Sequence, residues 1–208
     1  MMIGIVRGQE ARQHARAIET MFEDRKKLFV DVLGWSVPVI GGRLEQDCYD
    51  ESDAIYLIAL DKTGEHAGSM RLLPTTAPHI LGDLFPDLCA RVVPTGPAIF
   101  EITRLCLPTR HRAAARLHIR NRLISAMVDY ALCNGIEALT GVVEASFLSK
   151  VLAMGWTCVS LGPVQRKDGQ ALGAFQIAIT PETPSLLALR GIYTYGAIGT
   201  NQLACQAA

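Results

Sequence analysis

A strand–helix–strand succession in the second half of the chain limits its fold more than any other feature. Residues 98–107 form an almost unbroken apolar run closed by Pro108, and a helical pattern follows from about 113 to 134 with Gly135 as its stop. Residues 136–143 form a second apolar run. Two strands joined by a helix of that length belong to one sheet, with the helix packed back onto it. Ahead of them, residues 54–60 and 65–73 are strand-like runs joined by Asp61-Lys62-Thr63-Gly64, which reads as an antiparallel hairpin. Residues 2–6 suit a short strand. A helical pattern in two pieces covers about 9–33, with Ile18, Met21, Phe22, Leu28, Phe29 and Val32 on one face and Gly34 as its stop. Residues 36–53, with Gly41-Gly42, read as a long loop, and loops of that length in a compact domain tend to be functional or disordered. A helix at 145–154, strands near 157–160 and 174–179, and a last short helix complete the pattern. This order predicts an α/β fold, a three-layer α/β/α sandwich on a mixed, mostly antiparallel sheet. It is expected to form one domain over 1–208, with a loose tail from about 196.

The 208 residues are half hydrophobic, enough for one well-packed domain. Formal net charge is zero, so no global attraction to nucleic acid is expected and any charged partner must meet a local patch. The N-terminal apolar run is too short for a signal peptide, and no stretch approaches the roughly 20 apolar residues of a membrane span. The six cysteines are scattered without a CxxC, which reads as reduced thiols in a cytoplasmic protein. The five His residues (14, 66, 79, 111, 118) show no zinc spacing, so no metal is expected.

Several charges stand where apolar residues belong. Arg25 interrupts the helical stripe one turn from Met21-Phe22 and one from Phe29. Such a charge is either paired in a cleft or snorkels along a half-exposed face. Glu101 and Arg104 interrupt the apolar run 98–107, and strict alternation would put them on opposite faces. They serve one site only if the strand bulges or splays between them. Arg71 sits in a run that is otherwise apolar or small. Asp47 and Asp50, in the long loop, are the anionic candidates to reach inward. Arg25, Arg71 and Arg104 would balance Asp47, Asp50 and Glu101. A neutral cluster of that kind suits a zwitterion such as an amino acid, and a solvated charge network describes it equally well.

The surroundings of these residues resemble one family. Residues 25–35 (RKKLFVDVLGW), 45–50 (EQDCYD), 68–76 (GSMRLLPTT), the segment from Leu81 to Phe85-Pro86, and 100–104 (FEITR) are similar, in this order, to the motifs of the acyl-homoserine-lactone (autoinducer) synthases. The strong match covers roughly 22–108, with a looser one to about 156. The resemblance implies an N-acetyltransferase-like fold and a reaction. The amine of S-adenosylmethionine attacks the thioester of an acyl carrier protein or of coenzyme A. The methionyl carboxylate then closes the lactone and releases methylthioadenosine. Both molecules are substrates, and no prosthetic group is implied.

The roles follow from the needs of that chemistry. Glu101 is the candidate base for the attacking amine, since its apolar neighbours Phe100 and Ile102 favour a carboxylate that takes up a proton. Arg104 and Asp47 join it in the catalytic set. Arg25, Phe29, Trp35, Asp50, Arg71 and Thr103 would hold S-adenosylmethionine, the two rings against the adenosyl and sulfonium portion. Backbone N–H groups at a splayed part of 98–107 would meet the thioester oxyanion. Leu105, Met127, Gly141, Val142, Phe147 and Leu152 are candidates for an acyl tunnel, with plain core packing as the competing reading. Counting back without gaps from Gly155-Trp156 puts Gly141, with Thr140 one place off, where family members acting on 3-oxo chains carry Thr, so a 3-oxo substrate is not expected. Residues 109–122 are the one dense basic run, and Arg110, Arg112, Arg116 and Lys150 form the candidate surface for the anionic carrier. Two rivals share the scaffold: an acyl-coenzyme A N-acyltransferase acting on another amine, and a non-catalytic sensor of an acyl or nucleoside ligand.

Overall fold

The computed structural model describes residues 3–51 and 53–198. In chain order it runs β1 (Ile3–Arg7), a 3-10 turn, α1 (Ala15–Arg25) passing into a π-helical stretch (Lys26–Val32), β2 (Val39–Ile40), β3 (Leu44–Glu45), β4 (Ile55–Leu60) and β5 (His66–Pro74). Then come α2 (Ile80–Leu84), β6 (Ile99–Cys106), α3 (Ala113–Cys133), β7 (Ala138–Glu144), α4 (Ala145–Leu152), β8 (Cys158–Ser160), β9 (Gln165–Lys167), β10 (Gln170–Ala178) and α5 (Thr183–Ala188). The chain divides into two compact units. Among the described residues the first holds 3–72, 104–127 and 194–198, and the second holds 73–103 and 128–193.

In the first unit β1, β4 and β5 form an antiparallel sheet in the order β1-β4-β5. β4 is central, and Ile55 to Ala59 are all buried because both faces of the strand are covered. Tyr56 stands opposite Arg71 in the β4–β5 register. On that face α1 packs its buried Ile18, Met21 and Phe22, with the Phe22 ring edge-on to Tyr56 at 6.4 Å. The other face takes α3. A methyl group on Gly68 would come within 2.5 Å of Ile119 Cγ2, so glycine is what lets helix and strand approach. Ala197 and Ile198 are buried, and the Ile3 N–H donates to Ala197 O. The tail expected to be loose from 196 is therefore docked as far as Ile198, and its remainder lies outside the described residues.

In the second unit β6 pairs in parallel with β7, β7 pairs antiparallel with β10, and β10 with both β8 and β9. The parallel β6–β7 pair, joined through α3, is the mixed element that the strand–helix–strand pattern required. α4 packs on β10, where Leu148 fills the space above Gly173.

Three features depart from the sequence reading. The 36–53 loop folds a miniature hairpin, β2–β3, around Gly41-Gly42, both at positive φ. The five-residue α2 and the polar strand β9 (Gln165–Lys167) carry too little apolar periodicity to be read. The helix after Arg25 widens into a π-helix, closed by the Leu33 N–H to Leu28 O. None of the helices among the described residues is long and apolar enough to cross a membrane.

Candidate active site

The first unit holds a buried ionic cluster. Arg25, the last residue of α1, donates through both Nη atoms to Asp50 at 2.8 Å and through Nε to Glu45 at 2.5 Å. Arg71 on β5 donates to Asp47 at 2.6 Å and lies 2.7 Å from Asp50. Arg104 on β6 reaches Glu45 at 3.1 Å and Asp47 at 2.7 Å. Tyr56 adds its hydroxyl to Asp50, and Asp50 also accepts the Asp47 N–H. Three guanidinium groups thus meet three carboxylates in a neutral set. The third carboxylate met here is Glu45, which sequence reasoning missed. Glu101, expected in that place, belongs to the second unit.

Burial and charge decide which members face a ligand. The side chains of Arg25, Arg71, Glu45 and Asp50 are at most 1% exposed, whereas Arg104 is 10% and Asp47 6% exposed. Burial opposes the charge on Asp50, but Arg25 and Arg71 outweigh it and hold the carboxyl well below its usual range. Burial likewise opposes the charge on Arg25, and Asp50 and Glu45 outweigh it. Asp50 and the two inner arginines, taken from sequence as substrate contacts, are therefore saturated by one another. They hold Asp47 and Arg104 in place. A buried ionic set of this kind adds little net stability compared with apolar packing, so its presence points to use.

Arg104 has φ +52°, a left-handed conformation inside a strand. That is strain of about 1–3 kcal/mol at a non-glycine residue, of the sort found at active sites and ligand clamps. It departs from the regular strand geometry that strict alternation assumes. The Arg104 guanidinium stands 5.7 Å from the Phe29 ring centroid, and Phe29 stacks on Trp35 at 4.8 Å, with 7° between the planes. A groove of about 400 Å³, lined in part by Ile18, Phe22, Leu44, Asp50 and Tyr56, opens beside the cluster.

In the second unit Glu101 is fully buried, and its Oε1 accepts the Leu81 N–H of α2 at 2.9 Å. The parallel ladder of β6 with β7 covers Ile99↔Ala138 to Glu101↔Thr140, while β7 keeps its pairing with β10 to Glu144. Beside the end of that ladder, a Cβ on Gly141 would lie 2.7 Å from the Phe175 ring and 3.2 Å from Ile102 O. The neighbouring Thr140 is fully buried. Val142 packs against a core of Leu81, Leu88, Leu172 and Ala174. Phe147 on α4 is half-buried, but Leu152 is 37% exposed and does not serve an enclosed tunnel. Thr103 is 8% exposed on β6. Of the two candidates in the first unit, Met127 is core and Leu105 is half-buried.

The candidate carrier residues divide. Arg110 donates to Asp24 at 2.6 Å and to His66 O, yet its side chain is 45% exposed, so it is tethered to the first unit while staying at the surface. Arg112 and Lys150 are exposed, one in each unit, and Arg116 is half-exposed.

Comparison with known proteins gives a consistent picture. The profile of the Autoinducer synthase family matches residues 9–178. An acyl-homoserine-lactone synthase of Ralstonia nicotianae is 33% identical over 172 residues, which cover 80% of this chain and 84% of the relative. The solved structure of a coenzyme A-dependent acyl-homoserine lactone synthase, BjaI, with SAM and isopentyl-CoA superposes with a TM-score of 0.82 at 26% identity, covering 93% of this chain and 90% of that one. A putative N-acetyltransferase from Lactobacillus plantarum shares the fold, with a TM-score of 0.58 at 15% identity, covering 86% of this chain and all of that one.

Proposed function

The chain belongs to the autoinducer synthase family and is an acyltransferase of the acyl-homoserine-lactone synthase kind; from that premise we propose which residues carry its reaction and which thioester it uses. We read the two units as parts of one synthase domain, because a single family profile spans both. The reaction joins the amine of S-adenosylmethionine to the acyl carbon of a thioester and expels the thiol. The methionyl carboxylate oxygen then attacks the carbon bound to sulfur, closes the lactone and releases methylthioadenosine.

Arg104 and Asp47 are the contacts for the amino-acid end of S-adenosylmethionine. A cation and an anion 2.7 Å apart, each at the edge of a buried neutral set, offer partners to a carboxylate and an ammonium together. Arg25, Arg71, Glu45 and Asp50 fix that pair, and fixed geometry is what intramolecular lactone closure needs. Phe29 and Trp35 give the sulfonium an aromatic surface, worth about 0.5–2 kcal/mol. Glu101 is the base that takes the amine proton, directly or through one water. Backbone N–H groups near the end of the β6–β7 ladder serve the thioester oxyanion. The acyl chain runs into the apolar packing around Val142, Leu81 and Leu88, and Gly141 leaves no side chain there to favour a 3-oxo group.

For the donor we favour a coenzyme A thioester over an acyl carrier protein, on overall similarity to the coenzyme A-dependent BjaI. Exposed Arg112 and Lys150 and half-exposed Arg116 are the cations offered to its phosphates. We place the reaction in the cytoplasm.

The observation that carries this reading is the buried, charge-balanced Arg25–Glu45–Asp47–Asp50–Arg71–Arg104 cluster with Arg104 strained at its edge. The test supplies S-adenosylmethionine with matched acyl-coenzyme A and acyl-carrier thioesters and follows the amide product by mass spectrometry. Turnover at least tenfold more efficient with the coenzyme A thioester is expected, a difference of about 1.4 kcal/mol in the barrier. Preference for the carrier protein overturns the donor assignment.

A further inference from the structure

Beneath the ionic cluster of the first unit lies a second buried network that the reaction does not use. His66, at the start of β5, is fully buried. Its Nδ1 is 2.8 Å from Asp24 Oδ2 and its Nε2 is 2.9 Å from Ser69 Oγ. Asp24 also accepts from Arg110 at 2.6 Å. An ionised Asp24 has only acceptors to offer, so Nδ1 carries the imidazole proton and Nε2 accepts the Ser69 hydroxyl. The order Ser–His–Asp is that of a hydrolytic triad, but Ser69 is 1% exposed and no acyl group can reach it. The arrangement is a brace.

What it braces is specific. Asp24 immediately precedes Arg25, and Ser69 lies two residues before Arg71 on the same face of β5. The main chain of His66 joins in, its N–H donating to Thr20 Oγ1 on α1 and its carbonyl accepting from Arg110 after β6. One imidazole therefore ties α1 to β5 one residue away from the arginine that enters the ionic cluster from α1. Arg25 and Arg71 must both reach Asp50, within 2.8 and 2.7 Å, so a shift of α1 along β5 would misplace Asp47 and Arg104 with them.

We propose that His66 is a positioning residue for the S-adenosylmethionine site, acting through its bond to Asp24 to set Arg25 against Arg71 and Asp50. The proposal rests on the functional reading above. It assigns the Asp24 arm the greater weight, because that arm adjoins Arg25 while the Ser69 arm stays within β5.

Two substitutions separate the arms. His66→Asn places an amide N–H where Nδ1 stood and keeps the Asp24 bond, and His66→Gln reaches only towards Ser69. Initial rates are measured for the full-length wild type and both variants, varying S-adenosylmethionine and acyl-coenzyme A in turn, with melting temperatures alongside. The expected result is a KM for S-adenosylmethionine raised about tenfold or more in His66→Gln and within about twofold of wild type in His66→Asn, with the KM for the acyl thioester unchanged in both. A purely structural histidine would lower both melting temperatures and move both KM values together or neither, and that result overturns the proposal. Should His66→Gln fail to fold, Asp24→Ala removes the acceptor of the same arm, together with the Arg110 bond, and carries the same expectation. A wild-type enzyme that releases no methylthioadenosine contradicts the functional reading. A working wild type with unshifted variants contradicts only the role of His66.

Discussion

Arg25 donates its Nε–H to Glu45 at 2.5 Å in a site where neither side chain is more than 1% exposed. The same carboxylate meets Arg104 at 3.1 Å, so Glu45 bridges the innermost and outermost cations of the cluster. Removing its charge leaves three arginines facing two carboxylates in the first unit. Glu45→Gln should lower folding stability by about 3–5 kcal/mol, the usual cost of stranding one member of a buried ion pair. Urea denaturation followed by circular dichroism checks this, and an unchanged midpoint would show that the cluster carries no such strain.

Glu45 was not legible in the sequence, for a physical reason. It is one of five acidic residues between 45 and 53, in a segment without periodicity, and only the β2–β3 hairpin turns it inward. Arg25 and Arg104 were legible as cluster members because each interrupts an apolar pattern whose period is known; Glu101 interrupts the same run as Arg104 but is not in the cluster. The hairpin β4–β5, the helix α3 and the parallel pair β6–β7 were legible because long apolar runs with clear turn residues specify them. α2 escaped notice, although its Leu81 N–H holds Glu101. At five residues its pattern is shorter than two helical turns. Arg110 is at the surface as its sequence context suggests, but spacing does not reveal that it also pairs with Asp24, 86 residues away.

Arg104→Lys tests the cluster's exposed edge. Lysine keeps the charge but loses the planar fork that spans Glu45 and Asp47 and stacks over Phe29. The KM for S-adenosylmethionine should rise about tenfold or more, close to 1.4 kcal/mol of lost binding. Stability should change little, because Arg104 is the most exposed arginine of the set. Initial-rate kinetics and thermal denaturation of one preparation measure both, and a large stability loss with unchanged KM would place Arg104 among the structural members.

Gly141→Thr tests the acyl side. Its Cβ would meet the Phe175 ring at 2.7 Å and Ile102 O at 3.2 Å, so the strand or the ring must move. Overpacking of this kind costs about 1–3 kcal/mol. The substitution should lower the melting temperature and shorten the acyl chain accepted, read by competing acyl-coenzyme A donors of different length in one reaction. A variant with wild-type stability and chain preference would place the acyl group elsewhere.

Acid sensitivity should follow from the buried brace. Burial, resisted by Asp24, keeps His66 uncharged and lowers its proton affinity below the ordinary 6.5. The unfolded chain takes up a proton below pH 6.5 that the folded chain refuses, so stability is full above 6.5 and falls as pH drops beneath it. Asp24 acts in the same direction at lower pH. Burial opposes its ionisation, but its bonds to His66 and Arg110 hold it at about 2 against an ordinary 3.8, so its contribution is lost as pH falls from 3.8 towards 2. Melting temperatures between about pH 7.5 and pH 5 should decline more steeply for the wild type than for His66→Asn, which cannot be protonated there. Parallel curves would assign the acid sensitivity to other groups.

The most direct test of the central claim compares wild type with Glu101→Gln for methylthioadenosine release and for S-adenosylmethionine binding. The account predicts one methylthioadenosine per acyl-homoserine lactone in the wild type. In the variant, turnover should fall about 10²–10⁴-fold while calorimetry finds S-adenosylmethionine bound within about threefold of wild type, because the amide keeps the shape and loses the base. Undiminished methylthioadenosine release by Glu101→Gln, or no release by the wild type, would contradict it.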